Sequence, residues 1–229
     1  MKKLLSFEKQ IQNQVNNTLY ALSCKKIIYT YNPIFTQNLG EKKYRLSWNN
    51  HISGKFNTGE CFTKLEQYKM ILKNNSYHCI LYDGSIIRVS YTFEDECLIG
   101  HNLLWWPAPY SYEELTLEEY TVFELLEFFL SDTRWDQVIN MRSPIRIDFE
   151  PDPSIVSDEH PPTHMHIEHK DCRMKIEQPL CFNKFINFIL KNYYPDIEFY
   201  IDSHDYIEFK LPPFYKNIQS NNDEVILKI

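Results

Sequence analysis

The chain has 229 residues, a formal net charge of −7 and only 5 glycines. Glycine usage of about 2% is far below the ~7% of average proteins, and no two glycines are neighbours or separated by one residue. Dinucleotide-binding fingerprints and P-loops need clustered glycines, because the backbone must approach the phosphates closely. The composition therefore excludes both motifs, and with them most Rossmann dehydrogenases, kinases and Walker ATPases.

The rest of the composition predicts a folded cytoplasmic protein. Hydrophobic residues make up 43% of the chain, enough for a substantial core. No apolar run approaches the ~18 residues of a membrane span, and the N-terminus lacks the apolar region of a secretion signal. The six cysteines are scattered without a CxxC pair, which indicates reduced thiols. We therefore expect a cytoplasmic location and no membrane contact.

Charge is distributed unevenly along the chain. Residues 1–50 hold eight basic and two acidic side chains, whereas residues 101–150 hold three basic and ten acidic ones. The overall negative charge disfavours loose, charge-driven binding of nucleic acid. A local basic face on the N-terminal third and an ordinary solvated surface are both compatible with this pattern.

The first half of the chain alternates helical and strand patterns. Apolar spacing predicts helices after Ser6 and after the capping box Thr63-x-x-Glu66. Strands are predicted over 26–32 and 43–48. The clearest β region follows, with strands over 77–82, 85–93 and 97–106, the first two flanking the hairpin turn Asp83-Gly84.

The second half repeats this organisation. The capping box Thr116-x-x-Glu119 predicts a helix with an apolar stripe over 122–130. Alternating apolar and polar residues predict a strand over 145–150. After a proline-marked loop over 151–162, we expect two strands, an amphipathic helix and two short strands: 163–169, 172–177, the helix after Pro179, 197–201 and 206–211.

Strands joined by tight turns, with helices interspersed, predict an α+β fold. We expect a mainly antiparallel sheet in two β-meander groups, packed with about four amphipathic helices. The length favours a single domain over 1–229. Within it we distinguish an N-terminal lobe over 1–75, a main body over 76–212 and a polar tail over 213–229. The sequence leaves open whether the two β groups join one sheet.

A histidine cluster is the most unusual local feature. Four of the eight histidines lie within ten residues: His160, His164, His166 and His169. On a strand, His164 and His166 point to the same face. The preceding strand places Arg146 and Asp148 on one face, and the following strand does the same for Arg173 and Lys175. If the apolar faces are buried, the exposed face gathers these groups.

Two mechanisms fit this cluster. In the first, His164, His166 and Asp148 bind a divalent metal that activates water, with His160 as a weaker ligand. In the second, no metal binds, and a histidine acts as general acid or base on an RNA 2′-hydroxyl. Arg146 or Arg173 then stabilises the charged phosphorane. A structural polar network, or an incidental grouping on a polar sheet face, is the alternative to both.

Several motifs together resemble an uncharacterised bacterial family, domain-of-unknown-function family 2290, over nearly the whole chain. The resemblance implies no established activity. It rests on Leu104-Trp105-Trp106-Pro107, Arg142-Ser143-Pro144-Ile145-Arg146-Ile147-Asp148, His160-Pro161 with His164, Cys172-Arg173, and the segment from Phe185 to Tyr194.

A second resemblance is to the TumE-like toxins of bacterial toxin–antitoxin pairs. They show an Asp-Gly hairpin turn, a strand bearing Arg-x-Asp-Asn and a His-rich strand. Here Asp83-Gly84, Arg146-Ile147-Asp148 and the segment from His160 to His166 follow that order. Phe149 replaces the asparagine, and the N-terminal extension is additional. The resemblance implies an RNA-cleaving toxin or a component of a defence system.

The leading functional hypothesis is therefore a toxin-like or antiphage-defence effector that cleaves nucleic acid through Arg146, Asp148, His164, His166 and Arg173. The competing hypothesis is a non-catalytic subunit of a defence or toxin–antitoxin complex. A small metal-binding hydrolase with another substrate is third. For the first two we expect a protein partner encoded by an adjacent gene. The substrate, the metal and the oligomeric state are not predicted.

Overall fold

The computed structural model describes residues 6–49, 51, 65–109, 120–121, 124, 127, 142–169, 171–217 and 227–229. Within this part of the chain, the helices are α1 (Phe7–Cys24), α2 (Leu65–Lys73) and α3 (Phe182–Tyr193). The strands are β1 (Ile28–Tyr31), β2 (Phe35–Gly40), β3 (Lys43–Ser47), β4 (Cys79–Leu81), β5 (Ile86–Glu94), β6 (Cys97–Trp106), β7 (Ile145–Phe149), β8 (Thr163–Ile167) and β9 (Met174–Lys175). Two short 3-10 helices follow α3, Ser203–Asp205 and Pro213–Asn217.

The nine strands of the described residues all belong to one antiparallel sheet. Its main order is β1-β4-β5-β6-β7-β8-β9, while β3 pairs with β5 and also with β2. The two predicted β groups therefore join directly, because β6 pairs with β7. The α+β class and the mainly antiparallel sheet are confirmed.

The hairpin between β4 and β5 shows how local sequence determines the turn. Gly84 has a φ of +83°, a conformation that glycine adopts without a steric penalty. Its N–H donates to the Leu81 carbonyl at 2.9 Å. The Asp83 carboxylate accepts hydrogen bonds from the backbone N–H and the hydroxyl of Ser85, both at 2.9 Å. The predicted Asp-Gly turn is confirmed.

One face of the sheet is apolar and carries the main core. Residues directly opposite one another in antiparallel strands share a face, and the register aligns Val89, Leu103, Ile147 and Met165 in one row. Helices α1 and α3 cover this face with buried side chains that join the same hydrophobic cluster, among them Ile11, Val15, Leu19, Phe182, Phe185 and Ile189.

The opposite face is divided between apolar and polar groups. At its apolar end, Ile86 and Trp106 pack in a second cluster with Tyr68 and Ile71 of α2. Beyond them the side chains become polar. These polar side chains, called the polar face below, alternate with core residues along each strand. The polar face consists of Arg88, Ser90, Asn102, Arg146, Asp148, His164 and His166.

Some predicted elements differ from the structure. The predicted strands over 197–201 and 206–211 are wrong, because neither segment forms a strand in the structure. Side chains of α3 satisfy part of their backbone instead. The Asn187 amide accepts from the Ile201 N–H at 3.1 Å and donates to the Ile201 carbonyl at 2.8 Å. Strand β2, by contrast, was not predicted.

The helix predicted over 116–130 lies almost entirely outside the described residues. Two described residues of that region, Thr121 and Glu124, make reciprocal capping contacts. The Thr121 N–H donates to the Glu124 carboxylate at 2.8 Å, and the Glu124 N–H donates to the Thr121 hydroxyl at 3.1 Å. These contacts are typical of a helix start.

Two composition-based expectations can be compared with the described part of the chain. Cys24, Cys79, Cys97, Cys172 and Cys181 are free thiols there, as predicted. None of the helices described is both long and apolar enough to cross a bilayer.

A conservative substitution in α3 tests whether its apolar side chains belong to the main core. Ile189 is 1% exposed within the main cluster, so Ile189→Val removes one buried methylene. We expect the free energy of unfolding to fall by about 1 kcal/mol, measured by urea denaturation. Ile155→Val is the matched control, because Ile155 is 43% exposed and should change stability by less than about 0.5 kcal/mol. Equal effects of the two substitutions would contradict the core assignment.

A buried carboxylate with two histidines on the polar face

Strands β7 and β8 position the central groups of the polar face. In β7, Arg146 and Asp148 alternate with core residues, and in β8 His164 and His166 do the same. The register places Asp148 opposite His164 and Arg146 opposite His166. Directly opposite Cβ atoms lie only ~5 Å apart, so the four side chains are forced together. The predicted grouping of these residues is therefore present in the structure.

Asp148 is the centre of the cluster. Its Oδ1 accepts a hydrogen bond from Asn102 Nδ2 at 2.6 Å, and its Oδ2 accepts one from Arg146 Nε at 2.7 Å. His166 Nε2 lies 3.3 Å from Oδ2, and His164 Nε2 lies 4.0 Å from the same oxygen. One carboxylate thus connects an amide, a guanidinium and two imidazoles.

The loop before β8 orients His164. Its Nδ1 lies 2.6 Å from the Pro161 carbonyl oxygen, and a carbonyl can only accept, so Nδ1 carries the proton. Nε2 of the neutral ring then presents its lone pair on the side of Asp148. This is the arrangement of a metal-ligating histidine, whose second nitrogen donates to a carbonyl or carboxylate.

The cluster is buried, which contradicts the expectation of an exposed polar sheet face. His164 and His166 are each 1% exposed and Asp148 is 5% exposed. Alternation along a strand distinguishes its two faces but does not show that both faces are covered. Here the second face is also covered, with α2 packed on its apolar end.

Burial and neighbouring charges set the protonation of the cluster. Burial alone would raise the pKa of Asp148, but contacts with His166, Arg146 and His164 hold the pKa down at about 2. Burial lowers the pKa of His164 to about 4, against the opposing effects of Asp148 and the Pro161 carbonyl. At neutral pH the site therefore contains an ionised carboxylate beside a neutral His164, the states in which both groups can ligate a metal.

Two sets of side chains among the described residues have metal-binding geometry. Potential ligand atoms of Asp148, His164 and His166 all lie within 4.8 Å of one another. Glu150, His160 and His164 form a second set within the same limit, and His160 Nε2 lies 3.1 Å from Glu150 Oε2. The first set is buried and the second is more exposed, with His164 common to both.

Two other predicted groups lie differently. Arg173 precedes β9 and forms an ion pair with Asp171, with Nη1 and Oδ1 3.9 Å apart, rather than one with Asp148. His169 lies after the end of β8 and is also near Asp171, with Nδ1 and Oδ2 3.5 Å apart. Both partners of that contact are exposed, so His169 is separate from the buried cluster.

Three members of the polar face were not predicted from the sequence: Arg88, Ser90 and Asn102. Asn102 holds Asp148 from β6, across a connection of 38 residues that no local pattern spans. Arg88 lies on β5 and is 2% exposed. Arg88 could have been identified from the sequence, because it is the only charged residue in the run Ile86-Ile87-Arg88-Val89-Ser90.

His78 provides a pH test away from the candidate ligands. Its Nδ1 accepts a hydrogen bond from the Val89 N–H at 3.1 Å. Burial, with smaller contributions from Arg88 and His51 and against a backbone contact with Ser47, lowers the pKa of His78 to about 3. The unfolded chain binds a proton near pH 6.5, so the stabilisation is fully present above pH 6.5 and is lost as the pH falls towards 3.

We therefore expect His78→Asn, which keeps an acceptor for Val89, to weaken the loss of stability on acidification. Between pH 6 and pH 5, this one histidine should reduce the folding equilibrium constant of the unmodified protein by roughly tenfold. Melting temperatures of both proteins between pH 7.5 and 4.5 test this. Parallel pH profiles would show that His78 is not a buried neutral histidine.

Comparison with known proteins gives a family and no function. No curated protein and no solved structure matches the chain, so the resemblance to TumE-like toxins stays a prediction. The model of the family described as "Uncharacterized conserved protein (DUF2290)" matches residues 27–227. That match includes every residue of the polar face, and it agrees with the family predicted from the sequence motifs. The chain belongs to the DUF2290 family.

Proposed function

We propose that this protein is a divalent-metal-dependent phosphodiesterase that cleaves nucleic acid, with Asp148, His164 and His166 as the metal ligands. One observation carries the proposal: the ligand atoms of these three residues converge within 4.8 Å at a buried site. Zinc is bound by this mixture of histidine and carboxylate, with a further position left for water. The register of β7 and β8 holds the three residues at fixed strand positions.

The residues around the triad have separate roles in this proposal. A bound ion supplies an activated water and polarises a phosphoryl oxygen. Asn102 and Arg146 fix the Asp148 carboxylate, and the Pro161 carbonyl fixes the His164 ring. Arg146 would also place a positive charge near the phosphoryl oxygens, on which negative charge develops during the displacement, which is the electrostatic contribution expected of an arginine in phosphoryl transfer.

A nucleic-acid substrate agrees with the distribution of charge. In the N-terminal region, Lys9, Lys25, Lys26 and Lys42 are exposed, on a chain whose net charge is −7. A local basic region on an acidic protein favours a polyanionic ligand that must approach in one orientation. We propose a cytoplasmic, toxin-like or antiphage-defence effector in which these lysines contact the nucleic-acid backbone.

The test measures metal content and cleavage on the same preparation. Elemental analysis of the purified protein should find a divalent metal, close to one per chain. Fluorescent single-stranded RNA and DNA should be cleaved with Mg²⁺, Mn²⁺ or Zn²⁺ and left intact in chelator. Full cleavage in chelator would replace the metal mechanism with histidine acid–base catalysis, for which the Asp148–His166 contact is the supporting observation. Absence of both metal and cleavage would overturn the proposal.

A non-catalytic subunit is the second candidate, and the burial of the cluster favours it. The Asp148 carboxylate, which accepts hydrogen bonds from Asn102 and Arg146 and contacts His166, would then stabilise the fold and have no catalytic role. In that case the product of an adjacent gene should copurify with the chain. The complex should then contain no stoichiometric metal and show no cleavage under any of the metal conditions above.

A further inference from the structure

A second group of the polar face, Arg88, is buried and has no counter-charge in contact among the described residues. Arg88 is 2% exposed, and among the described residues neither its Nε nor its Nη1 has a hydrogen-bond partner. Buried cations in proteins are normally paired or hydrogen-bonded, because an isolated one loses its hydration without compensation. An unpaired guanidinium in a fixed strand position therefore indicates a missing anionic partner.

Aromatic rings hold this guanidinium in place. Its central carbon lies 4.6 Å from the centroid of the Trp48 ring, and His51 stacks on the same indole with ring centroids 3.9 Å apart and planes 10° apart. A guanidinium stacked on an aromatic face keeps its N–H edge available for a ligand. Trp48 thus orients Arg88 without neutralising it.

Two further arginines lie on the same face. Arg45 is opposite Thr92 in the β3–β5 pair, and its Nε lies 3.5 Å from the Thr92 hydroxyl. Arg88 on β5 and Arg146 on β7 both lie opposite Leu104 of the intervening strand β6. Two strand spacings correspond to a separation of roughly 10 Å. The carboxylate that acts on Arg88 is Asp148, and both of its oxygens already accept hydrogen bonds. Asp148 is also ion-paired with Arg146, and among the described residues neither Arg88 nor Arg45 has an ion pair with a carboxylate.

We propose that Arg88 and Arg45, with Trp48 and His51 as their support, form a phosphate-binding subsite beside the Asp148 cluster. A guanidinium fork matches phosphate oxygens in geometry and charge. Five scattered glycines provide no glycine-rich phosphate loop, so we expect side chains to supply the donors. The assignment of this phosphate to the nucleic-acid substrate rests on the proposed function, whereas the anion site itself does not.

The experiment measures phosphate binding by the full chain in chelator, where the proposed metal chemistry is absent. Inorganic phosphate, compared with chloride at equal ionic strength, should raise the melting temperature of the unmodified protein. Arg88→Met should weaken the phosphate affinity at least tenfold, and its melting temperature without phosphate should be equal or higher, because the substitution removes an unpaired buried charge. Lys191→Met, at an exposed position outside the proposed nucleic-acid contacts, is the control that should change neither value.

Arg45→Met is the second variant, and it keeps the test decisive if Arg88→Met does not fold. Two results would overturn the subsite. One is the absence of a phosphate effect on the unmodified protein, and the other is a phosphate effect in both arginine variants that equals the effect in the unmodified protein. His166→Gln should lose metal and keep the phosphate effect, which separates failure of this inference from failure of the proposed function. A short single-stranded oligonucleotide should compete with phosphate in chelator, and lack of competition would overturn the assignment to the substrate.

Discussion

Replacing His166 with glutamine should abolish stoichiometric metal binding and reduce nucleic-acid cleavage by about 100-fold or more. The reason is geometric, because His166 Nε2 lies 3.3 Å from the Asp148 carboxylate in a site that is almost inaccessible to solvent. Loss of one of three protein ligands leaves the ion poorly held. A 100-fold change corresponds to about 2.7 kcal/mol of transition-state stabilisation, within the range attributed to a metal acting on phosphoryl oxygens.

The matched control for this prediction is His169→Gln. His169 lies three residues further along the same segment, with a side chain that is 69% exposed, so the substitution is chemically identical and should leave metal content and cleavage unchanged. Cleavage rates are to be compared at saturating metal, with melting temperatures confirming that both variants fold. Equal activity of His166→Gln and the unmodified protein would remove His166 from the mechanism.

The grouping of Asp148, His164 and His166 was predictable from sequence because it depends on adjacent elements. Alternation assigns Asp148 to one face of its strand and the two histidines to one face of the next. The loop over 151–162 is short enough for the two strands to pair directly. Period-two alternation and nearest-neighbour pairing are local properties, so one sequence is sufficient to place these side chains together.

The remainder of the site depends on contacts between distant parts of the chain. Asn102 reaches Asp148 only because β6 pairs with β7, and Arg88 joins the face only because β5 pairs with β6. The covering of the polar face, which converts an expected exposed site into a buried one, depends on tertiary packing such as that of α2. A propensity pattern contains no information about any of these contacts.

The error over 197–201 and 206–211 has a similar cause. These segments are rich in Ile, Phe and Tyr, which favours a strand. A strand nevertheless needs an unpaired sheet edge within reach. Asn187 of α3 instead satisfies both backbone groups of Ile201, and the Lys210 carbonyl accepts from the Leu98 N–H at 2.8 Å. A side-chain partner at Ile201 and a single backbone bond at Lys210 thus take the place of a sheet ladder where composition predicts one.

The largest effect on stability is expected for Asp148→Ala. The Asp148 side chain is 8% exposed, and its removal takes away an acceptor of both Arg146 and Asn102 and the negative charge that acts on Arg88. Breaking a buried ion pair by removing one partner typically costs about 3–5 kcal/mol. In a chain of this length, that corresponds to a fall in melting temperature of roughly 10 °C. Asp158→Ala, at an exposed loop position, is the control and should change it by less than 2 °C, since exposed substitutions change stability by under ~0.5 kcal/mol.

A double variant tests the cause of that loss. Combining Asp148→Leu with Arg146→Met removes both charges of the pair, so the double variant should be more stable than Asp148→Ala, because the guanidinium that loses this carboxylate is removed together with it. Failure to recover stability would show that Asp148 acts through packing instead. Together with the His166 result, this cycle separates the two interpretations of the buried cluster. A purely structural network predicts loss of stability in Asp148 variants of a protein without metal or cleavage, whereas a metal site also predicts that His166→Gln loses metal and cleavage while it remains folded.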